Sequence, residues 1–169
     1  MKTTQPSALV ELLKRSSLRP TSRPGPEVIS LASGDPDFDT PIEIRHALSS
    51  AIEAGITHYG QQRGDPELRR WLASDISAHA APRYNESNVV ITHGASAGLA
   101  AVFLATVNAA DRVLIPEPTY SLYADQVRIA GGRPVEIPAT RDMHLDLAAL
   151  EAVADGARMV VLCHPCNPT

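Results

Sequence analysis

At 169 residues, with 44% hydrophobic and 20% charged residues, the chain has the composition of one globular domain able to bury a core. A net charge of −4, with no basic run beyond Arg69-Arg70, gives no electrostatic reason to expect nucleic acid. The start, MKTTQPSALVELLKRS, has no secretory apolar core, and the run Ala95–Val107 is too short to cross a bilayer. With only two cysteines, this points to a reducing, cytoplasmic setting.

Residues 1–27 begin with a short amphipathic pattern (Leu9, Leu12, Leu13) and pass into RPTSRPGPE, whose prolines forbid regular structure and predict an extended arm. Val28–Leu31 reads as a short strand leading into the acidic loop Asp35-Pro36-Asp37-Phe38-Asp39. A calcium loop starting at Asp35 needs Gly at its sixth position and Glu at its twelfth, and Thr40 and His46 stand there. Ser33-Gly34 also separates the carboxylates from the strand, which argues against an aspartyl nucleophile. Thr40, Pro41 and Glu43 have capping-box order, and predict a helix to about Ala54 with a stripe of Ile44, Ala47, Leu48, Ala51 and Ile52, closed by Gly55. A polar loop carrying Tyr59 follows. Asp65 and Pro66 then start a second helix with a face of Leu68, Trp71, Leu72 and Ile76.

Asn88–Val107 is the stretch around which the rest is organised. Val89–Thr92 reads as a buried β-branched strand, His93–Ser96 as a small-residue turn, and the segment with Leu99, Val102, Phe103 and Thr106 as a helix. Such a corner aims unpaired N–H groups and a positive dipole end at one point, where a phosphate fits. Beyond it the spacing predicts a strand at Arg112–Ile115, a helix at Tyr120–Ala130 closed by Gly131-Gly132 and a strand at Pro134–Ile137. A helix begun by Asp146 and a strand at Met159–Cys163 complete the order. This alternation predicts an α/β fold: a three-layer sandwich with a mostly parallel sheet covered by helices. Ligands in such sheets gather at the carboxyl ends of strands, here Gly94–Ser96, Pro116–Tyr120 and His164–Thr169.

Cys163-His164-Pro165-Cys166 has the spacing of a thiol–disulfide pair. Asn167-Pro168-Thr169 follows it, though, rather than the helix that lowers the first thiol's pKa in redox motifs. A zinc site needs further ligands, and His93 and His164 would have to supply them, so no metal is expected. Asn167, held before proline at a strand end, is suited to hydrogen-bond a ligand oxygen. No GxGxxG or GxxxxGK[ST] pattern occurs.

Six collinear stretches make the chain resemble the fold-type I pyridoxal-phosphate aminotransferases of class I/II. They are LASGDPDFDTP (31–41), GITHYG (55–60) with GDPELR (64–69), VVITHGASAGL (89–99), VLIPEPTYSLY (113–123), AGGRPVEIP (130–138) and CNPT (166–169). The resemblance implies pyridoxal 5'-phosphate as cofactor, with Gly94, Ala95 and Ser96 around its phosphate, Tyr120 stacked on its ring and Asn167 on its phenolic oxygen. It also implies that Gly34 lies beside the substrate carboxylate, and that Tyr59 reaches the phosphate of a neighbouring subunit's cofactor in a homodimer.

The resemblance further implies an amino-group transfer from an amino acid to a 2-oxo acid, in amino acid metabolism. Residues 1–40 then form an arm and part of a small domain, and 41–169 the first part of the large cofactor-binding domain. The family's Schiff-base lysine has no counterpart, since Lys2 and Lys14 are the only lysines and neither has a matching context. The chain therefore reads as the N-terminal part of a longer enzyme, with no catalytic residue of its own. A β-lyase or decarboxylase of the same fold, a non-catalytic remnant and a thiol redox protein are the alternatives.

Overall fold

The structure, a computed structural model, describes residues 7, 8, 10, 25, 27–29, 34, 36–79 and 81–169. Leu9, Leu12, Leu13, Ser30 and Leu31, on which the first expected helix and strand depend, lie outside these residues, as does most of the expected arm. By their contacts the described residues from 22 onward fall into two units, one within Ser22–Thr92 and one within His93–Thr169.

The first unit holds α1 (Ile42–Glu53), α2 (Pro66–His79) and a 3-10 turn, Glu86–Asn88. The predicted Thr40 capping box is absent. Pro41 takes the cap position, with no side-chain hydrogen bond to the first turn, and its carbonyl accepts from Ile44 and Arg45 N–H at 3.1 and 3.2 Å. The helix thus begins one residue later than the box requires. Its other end is as predicted. Gly55, at φ +75°, donates to Ile52 O, and Ile56 donates to Ala51 O. This paired pattern needs a left-handed residue, which glycine supplies without a Cβ clash. No residue of α1 is buried, and Ile44, Leu48 and Ile52 are exposed.

Asp65 opens α2 as predicted, its Oδ1 accepting from Glu67 and Leu68 N–H, both at 2.9 Å. The buried face is not the one expected. Arg69, Ala73 and Ser77 are buried, while Leu68, Trp71 and Ile76 are exposed. The cause lies outside the helix. The Arg69 guanidinium donates to Gly64 O (3.2 Å), Glu86 O (3.0 Å) and Gln61 Oε1 (3.2 Å), and Ser77 Oγ accepts from Tyr84 N–H at 2.7 Å. These polar partners outweigh the apolar stripe because a buried cation must be fully hydrogen-bonded.

Val89–Thr92 is not a strand. Val89 is extended (φ −112°, ψ 135°), but the segment joins no sheet, and Ile91 N–H donates to Arg63 O at 2.9 Å in the loop before α2. Val90 is exposed. A strand requires a ladder, and Val89–Thr92 belongs to none of the ladders of the described sheet.

The second unit alternates as predicted. It comprises α3 (Gly94–Thr106), β1 (Arg112–Glu117), α4 (Leu122–Ile129), β2 (Arg133–Pro138), α5 (Leu147–Ala154) and β3 (Ala157–Val160). β1 lies between β2 and β3 and is parallel to both. The last strand ends earlier than Cys163: Val161 N–H makes one more bond, to Leu114 O, and the chain then leaves the sheet. Because β1 is flanked on both sides it is fully interior, with Val113, Leu114 and Ile115 at 0% exposure. Val113, Ile115 and Val161 pack with Phe103 and Val107 of the α3 end and with Ala124 and Val127 of α4. The connections β1–α4–β2 and β2–α5–β3 run in opposite directions, so right-handed crossovers put α4 and α5 on opposite faces.

Two arginines close the amino ends of this sheet. Arg112 donates to Asp155 O (2.7 Å) and Val153 O (2.9 Å) at the end of α5, and Arg158 donates to Thr106 O (2.9 Å) at the end of α3. Cations there satisfy the last helical carbonyls and meet the negative dipole end.

Candidate active site

The carboxyl ends of β1 and β3 form the crevice where a reversal of connection direction leaves room for a ligand. Pro116–Thr119 at the end of β1 and Leu162, Cys163, His164 and Cys166 after β3 line an open cavity of about 340 Å³ there, with Met143–Leu145 beyond. The two strand ends touch: the Cys166 thiol donates to Pro118 O at 3.4 Å and lies 4.0 Å from Thr119 Oγ1.

Tyr120 sits between β1 and α4, two residues ahead of the helix it was predicted to begin, and is half-buried. Its ring meets Tyr123 edge-on, with centroids 5.8 Å apart and planes at 88°. Asn167 is exposed in the turn after Cys166.

The first turn of α3 belongs to the same unit. Gly94 opens it at φ +77°, a conformation that disfavours any residue with a Cβ, and a Cβ there would meet nothing within 4 Å. His93 at the N-cap gives the turn no side-chain hydrogen bond, and Ala95 and Ser96 are exposed. The turn is joined to the β1 end through α4, where Gln126 Nε2 donates to Ser96 O at 2.8 Å. The α3 start, Tyr120 and the Asn167 turn therefore all belong to the same unit. That set fits a planar ring bearing a phosphate and an acidic oxygen.

Tyr59 and Gly34 are not part of this set. Both belong to the unit within Ser22–Thr92. Tyr59 is fully exposed in the loop before α2, and Gly34 has open space around its Cα. Gln126 and Tyr123 of α4, which the sequence did not single out, contact Ser96 and Tyr120 respectively. The Tyr123 phenol is pushed up to about 12, first by a hydrogen bond with the Cys163 side chain, then by burial and by the charges of Cys163 and Cys166. Hydrogen bonds from Thr169 and Thr119 lower the Cys166 thiol below the ordinary range. Both cysteines are free. Among the described residues no group of three or more His, Cys, Asp or Glu is placed to hold a metal, and no helix is long and apolar enough to cross a membrane.

A parallel α/β unit whose sheet is covered by helices and opens at the carboxyl ends of its strands is the class that the fold defines. The chain belongs to the aminotransferase class I and II family, whose model matches residues 26–169. It is 35% identical over 148 residues to the probable aspartate/prephenate aminotransferase of Aquifex aeolicus, covering 86% of this chain and 38% of that protein. It is also 35% identical over 166 residues to the aspartate aminotransferase of Pyrococcus horikoshii, covering 95% of this chain and 42% of that one. The crystal structure of the aspartate aminotransferase from Rhizobium meliloti superposes with a TM-score of 0.85 at 29% identity, over 99% of this chain and 44% of that chain. The fold is therefore that of fold-type I aminotransferases. The chain spans about two fifths of the length of the relatives it matches.

Proposed function

We propose that the chain forms the first part of a pyridoxal-phosphate-dependent aminotransferase that moves an amino group from an amino acid to a 2-oxo acid. Residues 1–40 serve as an arm and part of the small domain, and 41–169 as the first part of the cofactor-binding domain. The observation that supports this reading is that the α3 start, Tyr120 and the Asn167 turn lie in one parallel α/β unit, whose loops and helices are linked by the Gln126–Ser96 and Cys166–Pro118 contacts.

In this reading Gly94 gives the phosphate close approach, while Ala95 and Ser96 hold it with backbone N–H groups and the Ser96 hydroxyl. Tyr120 keeps the pyridine ring in place by face contact. The Asn167 amide donates to the phenolic oxygen, and Gly34 leaves space for the substrate carboxylate. Tyr59 donates to the cofactor phosphate of a neighbouring subunit, which makes the enzyme a homodimer. When bound, the cofactor supplies an electron sink that lets the α-proton of an amino acid be removed. The protein works in the cytoplasm, in amino acid metabolism, and the names of its relatives make aspartate the first donor to test.

The test is a two-substrate assay of the full-length protein. Formation of a new amino acid from 2-oxoglutarate, dependent on an amino donor and on added pyridoxal phosphate, is the expected result. Steady release of ammonia and pyruvate without any 2-oxo acid acceptor would overturn transamination in favour of β-elimination.

A further inference from the structure

Gln126 is the least economical residue of α4. It is 7% exposed, on a helix whose neighbours Ala124 and Val127 are packed in the core. Its Nε2 donates to Ser96 O at 2.8 Å, while its Oε1 is buried with no hydrogen-bond partner. A buried acceptor left unpaired is destabilising, and a thioether of the same length would fill the space with no such loss. The donor half of the amide is therefore the half that matters, and it touches one atom: the carbonyl of the residue at the start of α3.

We infer that Gln126 is a positioning residue that holds the first turn of α3 in the geometry that receives a phosphate. The inference rests on the functional reading above and names a residue that neither the family resemblance nor the motif pattern assigns. The platform for it is rigid. Gly131 N–H bonds Arg128 O, Gly132 N–H bonds Val127 O, and Arg128 pairs with the buried Asp125 at 3.1 Å, so α4 is closed at its end and tied along its side. From that platform the amide fixes the Ser96–Ala97 peptide plane, and with it the orientation of the Ser96 residue that carries the hydroxyl. His93 gives the turn no side-chain cap, and the Gln126 amide is a side-chain restraint that reaches this helix start from α4.

The experiment compares the wild-type full-length protein with Gln126→Met and Gln126→Glu. The dissociation constants of pyridoxal 5'-phosphate and of pyridoxal, which lacks the phosphate, are measured by absorbance titration. Inorganic phosphate serves as a competitor, and thermal unfolding is recorded in parallel. The wild type is expected to prefer the phosphorylated ligand. Gln126→Met is expected to lower that preference roughly fivefold to tenfold, the loss of one hydrogen-bonded restraint, with pyridoxal binding unchanged and the unfolding temperature unchanged or raised. Gln126→Glu keeps an acceptor but no donor at neutral pH and adds a negative charge, so its preference falls at least as far.

A wild-type preference retained in either variant would overturn the inference. So would equal weakening of both ligands together with a lower unfolding temperature, because that is the mark of a merely structural side chain. A wild type that binds both ligands alike would overturn the functional reading itself, and the inference with it.

Discussion

Tyr123 and Cys163 show how much a single contact at the crevice sets. The phenol has its pKa raised from 10.0 to about 12, with the hydrogen bond to Cys163 as the largest cause. A raised folded-state pKa favours the protonated form. Its contribution to stability is therefore complete below pH 10 and is lost as the pH rises from 10 to about 12. Replacing Cys163 with Ala is expected to bring the Tyr123 titration back toward 10 and to shrink the pH-dependent loss in that window. Phenolate absorbance during alkaline titration reads the first effect and denaturant unfolding at several pH values the second. The sequence carries no trace of this pair, because residues forty positions apart meet only once β3 lies beside β1. Gln126 is hidden for a related reason. In Ala124-Asp125-Gln126-Val127-Arg128 it reads as part of a solvated helix face, and only the approach of α3 buries it. Tyr120 was named from the family resemblance, and the structure places it just after β1, ahead of α4.

At the scale of elements, local signals transferred well and those needing a distant partner did not. The caps at Asp65 and Asp146 are satisfied by N–H groups within three residues, so the sequence contains everything they need. Asp65→Ala is expected to cost about 1 kcal/mol, seen as a lower denaturation midpoint in urea with an unchanged slope. The buried face of α2 failed as a forecast because the partners of Arg69 come from a loop and a 3-10 turn. Val89–Thr92 failed as a strand because β-propensity describes a residue's fit to a sheet and not the presence of one. The Gly131-Gly132 corner was foreseen as a helix stop, and the structure adds a packing demand. A Cβ on Gly132 would lie 2.6 Å from Val107 Cγ1 and 3.0 Å from Val127 Cγ1. Gly132→Ala should therefore destabilise by about 1–3 kcal/mol through overpacking, measured by the same urea transition.

For the molecule as a whole, the surface is the informative part. Ile44, Leu48 and Ile52 on α1, Trp71 on α2 and Leu104 on α3 are all more than half exposed. Aliphatic stripes of this kind on helices mark surfaces that another part of an assembly covers. A polypeptide of residues 1–169 expressed alone is expected to self-associate and to bind a hydrophobic dye, whereas the full-length protein should bind far less. Sedimentation at several concentrations and dye fluorescence provide the check, and a monomeric, dye-silent 1–169 would contradict it.

The arginines at the amino ends of the sheet have a consequence for how such a unit can change over time. Arg112 and Arg158 anchor the tails of α5 and α3 by backbone carbonyls, at the edge opposite the crevice. Anchorage that reads only main-chain oxygens is indifferent to the side chains of those helices. The strand-end loops, with their cysteines, tyrosines and asparagine, can therefore change while the far edge keeps its fastening. Chemistry and architecture are inherited here from opposite rims of the same sheet.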